Sequence, residues 1–243
     1  MNLIIDVGNT AAKLAVFKED TIVGVFKCTL ERLVEETEKI LKEYSNITSV
    51  ISSSVSYLDE KGLKSTLKEL FLLKLDHKTS VPFTNLYKTP ATLGVDRIAL
   101  VSGAVAQYPN KNVLIIDAGT CITYDFINNK KEYFGGSIAP GLYLRYKSLN
   151  DYTANLPLLT PKYPESFIGD NTENAIHAGV SDGVIAEING VITKFSNNYE
   201  HLVVILTGGD ANFLSKRLKS SIFVDPNFLL HGLNYILEYT IDK

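Results

Sequence analysis

The sequence predicts an α/β protein made of two related halves, and three observations carry that prediction. An apolar run that ends in Asp-x-Gly with a threonine just after it, LIIDVGNTAAKLAVF at residues 3–17, returns as LIIDAGTCITYDFI at 114–127. Each copy opens a group of short strands, and helical periodicity follows. The two aspartates, Asp6 and Asp117, stand 111 residues apart, too far for a solenoid repeat and about the length of one duplicated domain.

In chain order, residues 2–8 read as a buried strand, and 12–17 and 21–27 as two more joined to it by hairpin turns. From Leu30 to Tyr44 the apolar residues Leu30, Leu33, Val34, Ile40 and Leu41 recur among Glu and Lys at the spacing of an amphipathic helix. SVISSSV at 49–55 reads as a strand, and DEKGLKSTLKELF at 59–71 as a second helix with an acidic first turn. Residues 96–108 form a third helix with a small-residue apolar face, stopped by YPNKN at 108–112. The domain boundary is placed there, giving domains 1–111 and 112–243.

The second half starts over. VLIIDAGT, ITYDFI and YFGGSIAP read as strands at 113–120, 122–127 and 133–140, and the proline-marked LPLLTPKYP at 156–164 as a loop. Residues 170–195 carry Ala175, Ile176, Val180, Val184, Ile188 and Ile192 at three-and-four spacing, one long helix. Gly179 and Gly183 lie a turn apart on it, where another backbone, from the sheet or from a second subunit, would approach closely. LVVILTGGDANFLSKRL at 202–218 reads as a strand, a two-glycine turn and a helix, and a last apolar helix spans about 227–239.

Composition excludes several classes of function. The chain is 45% hydrophobic and 21% charged, with no apolar stretch of some 18 residues, so membrane spanning is not expected. Met1 leads straight into Leu3-Ile4-Ile5 without the features of a signal peptide, and a cytoplasmic protein is expected. A net charge of −3 with scattered lysines gives no footprint for nucleic acid. Cys28 and Cys121 form neither a metal pair nor a disulfide framework, and Cys121 is expected to pack as a small buried hydrophobe. The four histidines make no zinc pattern.

A strand ending in Asp-x-Gly that turns back into another strand offers backbone N–H groups to an anion, and Asn9, Thr10 and Thr120 add donors. An aspartate beside a phosphate needs a cation between them, or a proton to accept. Lys13 is positioned to add positive charge to the same anion. A third element, LYKTPATLGVDRIAL, puts Gly94, Asp96 and Arg97 where a helix begins. Asp96 reads equally as a plain N-cap or as a functional carboxylate, and Arg97 as a partner for a ligand carboxylate or phosphate. Such a helix end makes an aspartate a weak base, which suffices for late proton acceptance in phosphoryl transfer.

Asp6-x-Gly8-Asn9-Thr10-x-x-Lys13, Gly94-x-Asp96-Arg97, Asp117-x-Gly119-Thr120 with Thr123, and Gly135-Gly136-x-Ile138-x-Pro140-Gly141 together resemble, in order and spacing, the type III pantothenate kinases. The resemblance implies a duplicated ribonuclease-H-like fold, a mixed sheet flanked by helices in each half, of the actin, sugar-kinase and Hsp70 ATPase superfamily. It implies transfer of the ATP γ-phosphate to pantothenate, the first step toward coenzyme A, by a homodimer. By motif, ATP would meet Asp6, Val7, Gly8, Asn9, Thr10, Ala11, Ala12, Lys13 and Thr120, with Asp6 on a divalent ion such as Mg2+. Asp117 matches the monovalent-cation position, for K+ or NH4+. Asp96 matches the proton acceptor, and Tyr87, Gly94, Val95, Asp96, Arg97 and Thr172 the substrate positions. Without the resemblance the residues leave two other readings open: a kinase for another hydroxylated acid, and a nucleotide-binding module without turnover.

Overall fold

The computed structural model describes residues 1–8, 11–54, 60–219 and 221–242. In chain order, β1 (Asn2–Val7), β2 (Ala12–Lys18) and β3 (Thr21–Cys28) precede α1 (Leu33–Glu43), β4 (Ser49–Ser54), α2 (Glu60–Thr66) and β5 (Phe71–Lys74). A two-residue strand β6 (Thr84–Asn85) leads to α3 (Val95–Gln107). Then come β7 (Val113–Ala118), β8 (Cys121–Ile127), β9 (Glu132–Pro140), α4 (Leu142–Asp151), α5 (Thr172–His177) and α6 (Gly183–Ser196). The chain finishes with β10 (Val203–Thr207), α7 (Ala211–Ser215), β11 (Phe223–Val224) and α8 (Phe228–Ile241). No helix among the described residues is long and apolar enough to cross a membrane.

These elements form two compact units, residues 1–109 with 131–133 and 228–243, and residues 110–130 with 134–227. In the first, the strand order is β3-β2-β1-β4-β5. β1 runs antiparallel to β2 and parallel to β4, and β4 parallel to β5. A central strand buried on both faces must be apolar on both, so Leu3, Ile4, Ile5 and Val7 read as a run. One face packs Leu3, Ile5, Leu14 and Val16 against Leu33, Ile40, Leu63 and Leu67 of the α1–α2 side. Each such side chain contributes on the order of 1.5–3 kcal/mol by leaving water.

α8, last in the chain, packs in the same unit against β1, β4 and α3. The α3–α8 crossing is close because both helices carry glycine there: a Cβ on Gly232 would lie 1.9 Å from the Ala99 carbonyl oxygen. Asn234 ties α8 to the strands, its Oδ1 accepting from Asn2 Nδ2 at 2.9 Å and its Nδ2 donating to the Glu19 carbonyl at 3.1 Å.

In the second unit the strands β9-β8-β7-β10-β11 repeat that order with each strand replaced by its counterpart. β7 is antiparallel to β8 and parallel to β10, as β1 is to β2 and β4. Its core joins Leu114, Ile116, Ile122 and Tyr124 to Leu142, Tyr146, Val184, Ile188 and Leu214 of the helices.

Four details differ from the sequence expectations. The helix read at 59–71 ends at Thr66, and Phe71 instead begins β5, because parallel pairing with the buried β4 outweighs helical spacing. The long helix is interrupted by a π-helical turn, Ala178–Asp182, between α5 and α6. α4 was not expected. A Cβ on Gly179 or Gly183 would meet nothing within 4 Å among the described residues, so no strand approaches there. Val55 of SVISSSV, Asp59 of the second helix, and Asn9 and Thr10 lie outside the described residues.

Candidate active site

The first hairpin sets its groups by register. Gly8 N–H donates to the Ala11 carbonyl at 3.1 Å, closing the turn, and Asp6 on β1 stands directly across from Lys13 on β2. Val7 and Ala12 pair beside them and are buried; Ala11 is exposed at the turn. Ser53 on β4 donates its hydroxyl to Asp6 Oδ1 at 2.7 Å. Burial pushes the Asp6 carboxyl above its ordinary value; the Ser53 bond opposes this, the charge of Asp96 adds to it, and the Lys13 ammonium opposes it. Asp6, Lys13, Ser53 and Asp96 therefore share one electrostatic neighbourhood.

Gly94, not Asp96, is the N-cap residue of α3, which removes the plain N-cap reading of Asp96. Asp96 lies inside the first turn and turns back, its Oδ1 accepting the Arg97 N–H at 2.8 Å. A Cβ on Gly94 would sit 2.3 Å from that oxygen, so the missing side chain at 94 is the space the carboxylate fills. Val95 is half-buried between them. Arg97 is only 5% exposed, and its guanidinium lies 5.6 Å from the Tyr87 ring centroid, a cation–π contact. Tyr87 is fixed in turn by stacking on Tyr133 at 6.4 Å and by its N–H, which donates to Asn85 Oδ1 at 3.0 Å. An Arg–Tyr pair beside a carboxylate at a helix start can bind an acidic ligand and orient a hydroxyl.

Asp117, Thr120 and Thr172 belong to the second unit. Gly208 has φ +92° after β10, and a Cβ there would lie 2.4 Å from both Asp117 Oδ1 and the Ala118 carbonyl oxygen, so backbone closes over that carboxylate. The Asp210 N–H donates to the same Ala118 carbonyl at 2.9 Å. Gly141 holds the Thr120 turn: its N–H donates to the Thr120 carbonyl at 3.0 Å, and a Cβ on it would lie 2.1 Å from the Gly119 carbonyl oxygen. Thr120 is exposed, as is Thr172 in the first turn of α5 behind the Asn171 cap. Cys121 is also exposed, correcting the buried packing expected of it; the turn ends there and β8 enters the core only at Ile122.

Reading the sequence missed Ser53, the hold of Gly141 on the Thr120 turn and the contact of Gly208 with Asp117. Ser53 had a signal: three serines in a strand between Ile51 and Val55 are costly to bury unless one of them serves a partner.

The family model described as type III pantothenate kinase matches residues 2–194. The chain is 47% identical over 243 residues to the type III pantothenate kinase of Flavobacterium johnsoniae, covering 100% of each, and 49% identical over 240 residues to that of Christiangramia forsetii, covering 98% of each. Among solved structures, a conserved Campylobacter jejuni protein of the Baf family of transcriptional activators superposes with TM-score 0.68 at 20% identity, covering 99% of this chain and 100% of that one. A ROK family glucokinase of Streptomyces griseus, solved with glucose and AMPPNP, gives 0.53 at 12% identity over 100% of this chain and 99% of its own. These two likenesses show the fold alone: the duplicated ribonuclease-H-like architecture of actin-like ATPases and sugar kinases.

Proposed function

The chain belongs to the type III pantothenate kinase family and phosphorylates pantothenate with ATP in coenzyme A biosynthesis, and we propose that Asp96 takes the proton from the acceptor hydroxyl as it does so. The observation that carries the assignment is the Asp96 carboxylate, held over Gly94 by the Arg97 amide and close enough to Asp6 for the two charges to interact.

Phosphoryl transfer through a loose transition state asks the protein mainly for positioning and charge stabilisation. Oδ1 of Asp96 is held by the Arg97 amide, which fixes the carboxylate in the first turn of α3, where it is to accept the proton of the acceptor hydroxyl. Arg97, stacked over Tyr87, takes the pantothenate carboxylate, and Gly94, Val95 and Thr172 complete the substrate contacts. The 6–13 stretch, including Asn9 and Thr10, receives ATP with Lys13 on its phosphates, and Thr120 adds a nucleotide contact.

Asp6 fits a divalent ion, since a carboxylate disfavoured in its charged form by burial and by Asp96 gains from a nearby cation. Bound with ATP, that ion neutralises phosphate charge. Asp117, under the Gly208 backbone, fits a monovalent cation, K+ or NH4+. A homodimer in the cytoplasm completes the reading. Its interface is assigned to the second unit, which exposes Phe134, Ile138, Tyr143, Phe167 and Ile168 and leaves open space at Gly179 and Gly183.

The test is a coupled assay of ADP release with and without pantothenate, in K+ and in Na+, on wild type and Asp96→Asn. Asp96→Asn is expected to lose turnover by about 10²–10⁴-fold while keeping ATP affinity. Near-normal kcat in that variant would remove Asp96 as proton acceptor, and equal rates in both salts would remove the monovalent cation.

A further inference from the structure

Thr123 is the loose end of the second hairpin. Its Oγ1 is shut away from solvent and has no hydrogen-bond partner among the described residues. A hydroxyl buried in that state is costly unless something outside the polypeptide satisfies it.

The register shows what stands opposite. Asp117 faces Thr123 across β7 and β8 as Asp6 faces Lys13 across β1 and β2. Directly opposed residues of an antiparallel pair project from one face, with Cβ atoms about 4.5–5.5 Å apart. Two residues further along each second strand, on the same face, stand Ala15 in the first copy and the buried Asp125 in the second. The face therefore carries an aspartate and a lysine in one hairpin, formally neutral, and two aspartates beside a neutral hydroxyl in the other, formally −2.

A carboxylate and a hydroxyl oxygen on one face, under a backbone that leaves room for no side chain at Gly208, are the ligand types a hard cation takes.

We propose that Thr123 Oγ1 is a direct ligand of the monovalent cation at Asp117. The exchange of Lys13 for Thr123 is then what makes one copy of the hairpin an anion site and the other a cation site. The proposal rests on the reading of Asp117 as the monovalent-cation residue.

The experiment uses the full chain without substrates: thallium NMR of bound Tl+, a stand-in for K+, and melting temperatures in potassium chloride, magnesium chloride and choline chloride. Thr123→Val is expected to weaken Tl+ binding about tenfold, as Asp117→Asn does, while Thr123→Ser keeps it. In choline the Val variant melts at or above wild type, because an orphan hydroxyl is gone; in K+ it melts below wild type. Tl+ binding lost in Asp117→Asn but unchanged in Thr123→Val overturns the role of Thr123 and leaves that of Asp117 standing. Wild type that neither binds Tl+ nor responds to K+ overturns both. A Val variant equally destabilised in every salt, or a response to Mg2+ alone, also overturns the proposal.

Discussion

Gly94→Ala tests whether the position of the Asp96 carboxylate, apart from its presence, sets the rate. An alanine Cβ would lie 2.3 Å from Asp96 Oδ1, whereas ordinary contact begins at 3.4 Å, so the carboxylate must move by about 1 Å. The obstacle is the end of a side chain, so the fold yields cheaply. Gly94 has φ −58° and ψ 136°, which alanine adopts without strain, and the substitution restricts the unfolded chain, worth about 0.4–1 kcal/mol. Losing the bond from the Arg97 amide costs about 0.5–1.5 kcal/mol. The balance leaves stability within about 1 kcal/mol, or about 2–4 °C in Tm. Catalysis is less forgiving: a misplacement of about 1 Å costs on the order of 100-fold, about 2.7 kcal/mol in the barrier. Coupled ADP-release kinetics at saturating substrates should show that fall in kcat, with ATP affinity by calorimetry unchanged because Asp6 and Lys13 are untouched. The double variant with Asp96→Asn should be no slower than Asp96→Asn alone. A folded Gly94→Ala enzyme with kcat within about threefold of wild type would refute the reasoning.

Three other outcomes are expected. The Asp6 carboxyl is held above its ordinary value of 3.8 in the fold, chiefly by burial, so the stability tied to its protonated form is full below that value and is lost as pH rises through the folded value. Without ligands, Asp6→Asn should therefore melt higher than wild type at about pH 7, with the gap closing on acidification; a lower melting temperature at about pH 7 would contradict burial as the main cause. Arg97→Ala should raise KM for pantothenate about tenfold or more and leave ATP nearly unaffected, and Arg97→Lys should not restore it, since lysine lacks the planar group that lies over Tyr87. Equal weakening of both substrates would remove the carboxylate role. Gly141→Ala drives a Cβ against the backbone oxygens of Gly119 and Thr120 and should cost about 1–3 kcal/mol, seen in urea unfolding; an unchanged midpoint would mean the turn has room.

What the sequence could disclose depended on how each element is buried. β1 and β7 were legible because strands covered on both faces become unbroken apolar runs, and the repeated Asp-x-Gly marked where each run turns. α4 was not, since only Leu142 and Tyr146 are fully buried and the stripe is too thin to stand out among Arg145, Lys147 and Asp151. β5 is four residues at an edge, with Phe71 exposed, and looks helical beside the leucines that precede it. The site divides the same way. Asp6, Asp96, Arg97 and Asp117 are chemically conspicuous, whereas Ser53 reaches Asp6 from 47 residues away. The equivalence of Thr123 to Lys13 is hidden by loop length: Lys13 is seven residues beyond its aspartate and Thr123 six, and only the pairing aligns them.

The return of α8 to the first unit has a consequence for how the protein is made. α3, buried from Arg97 to Val105, finds its glycine-matched neighbour only at Gly232. Between the synthesis of residue 109 and that of residue 228, the half that holds Asp6 and Asp96 lacks its last wall. At about 5–20 residues per second, that interval is on the order of 6–24 s. During it the nascent chain presents an uncovered apolar helix to whatever chaperones attend the ribosome. A polypeptide stopped before residue 228 would keep every proposed catalytic and binding residue and still lack the helix that covers α3.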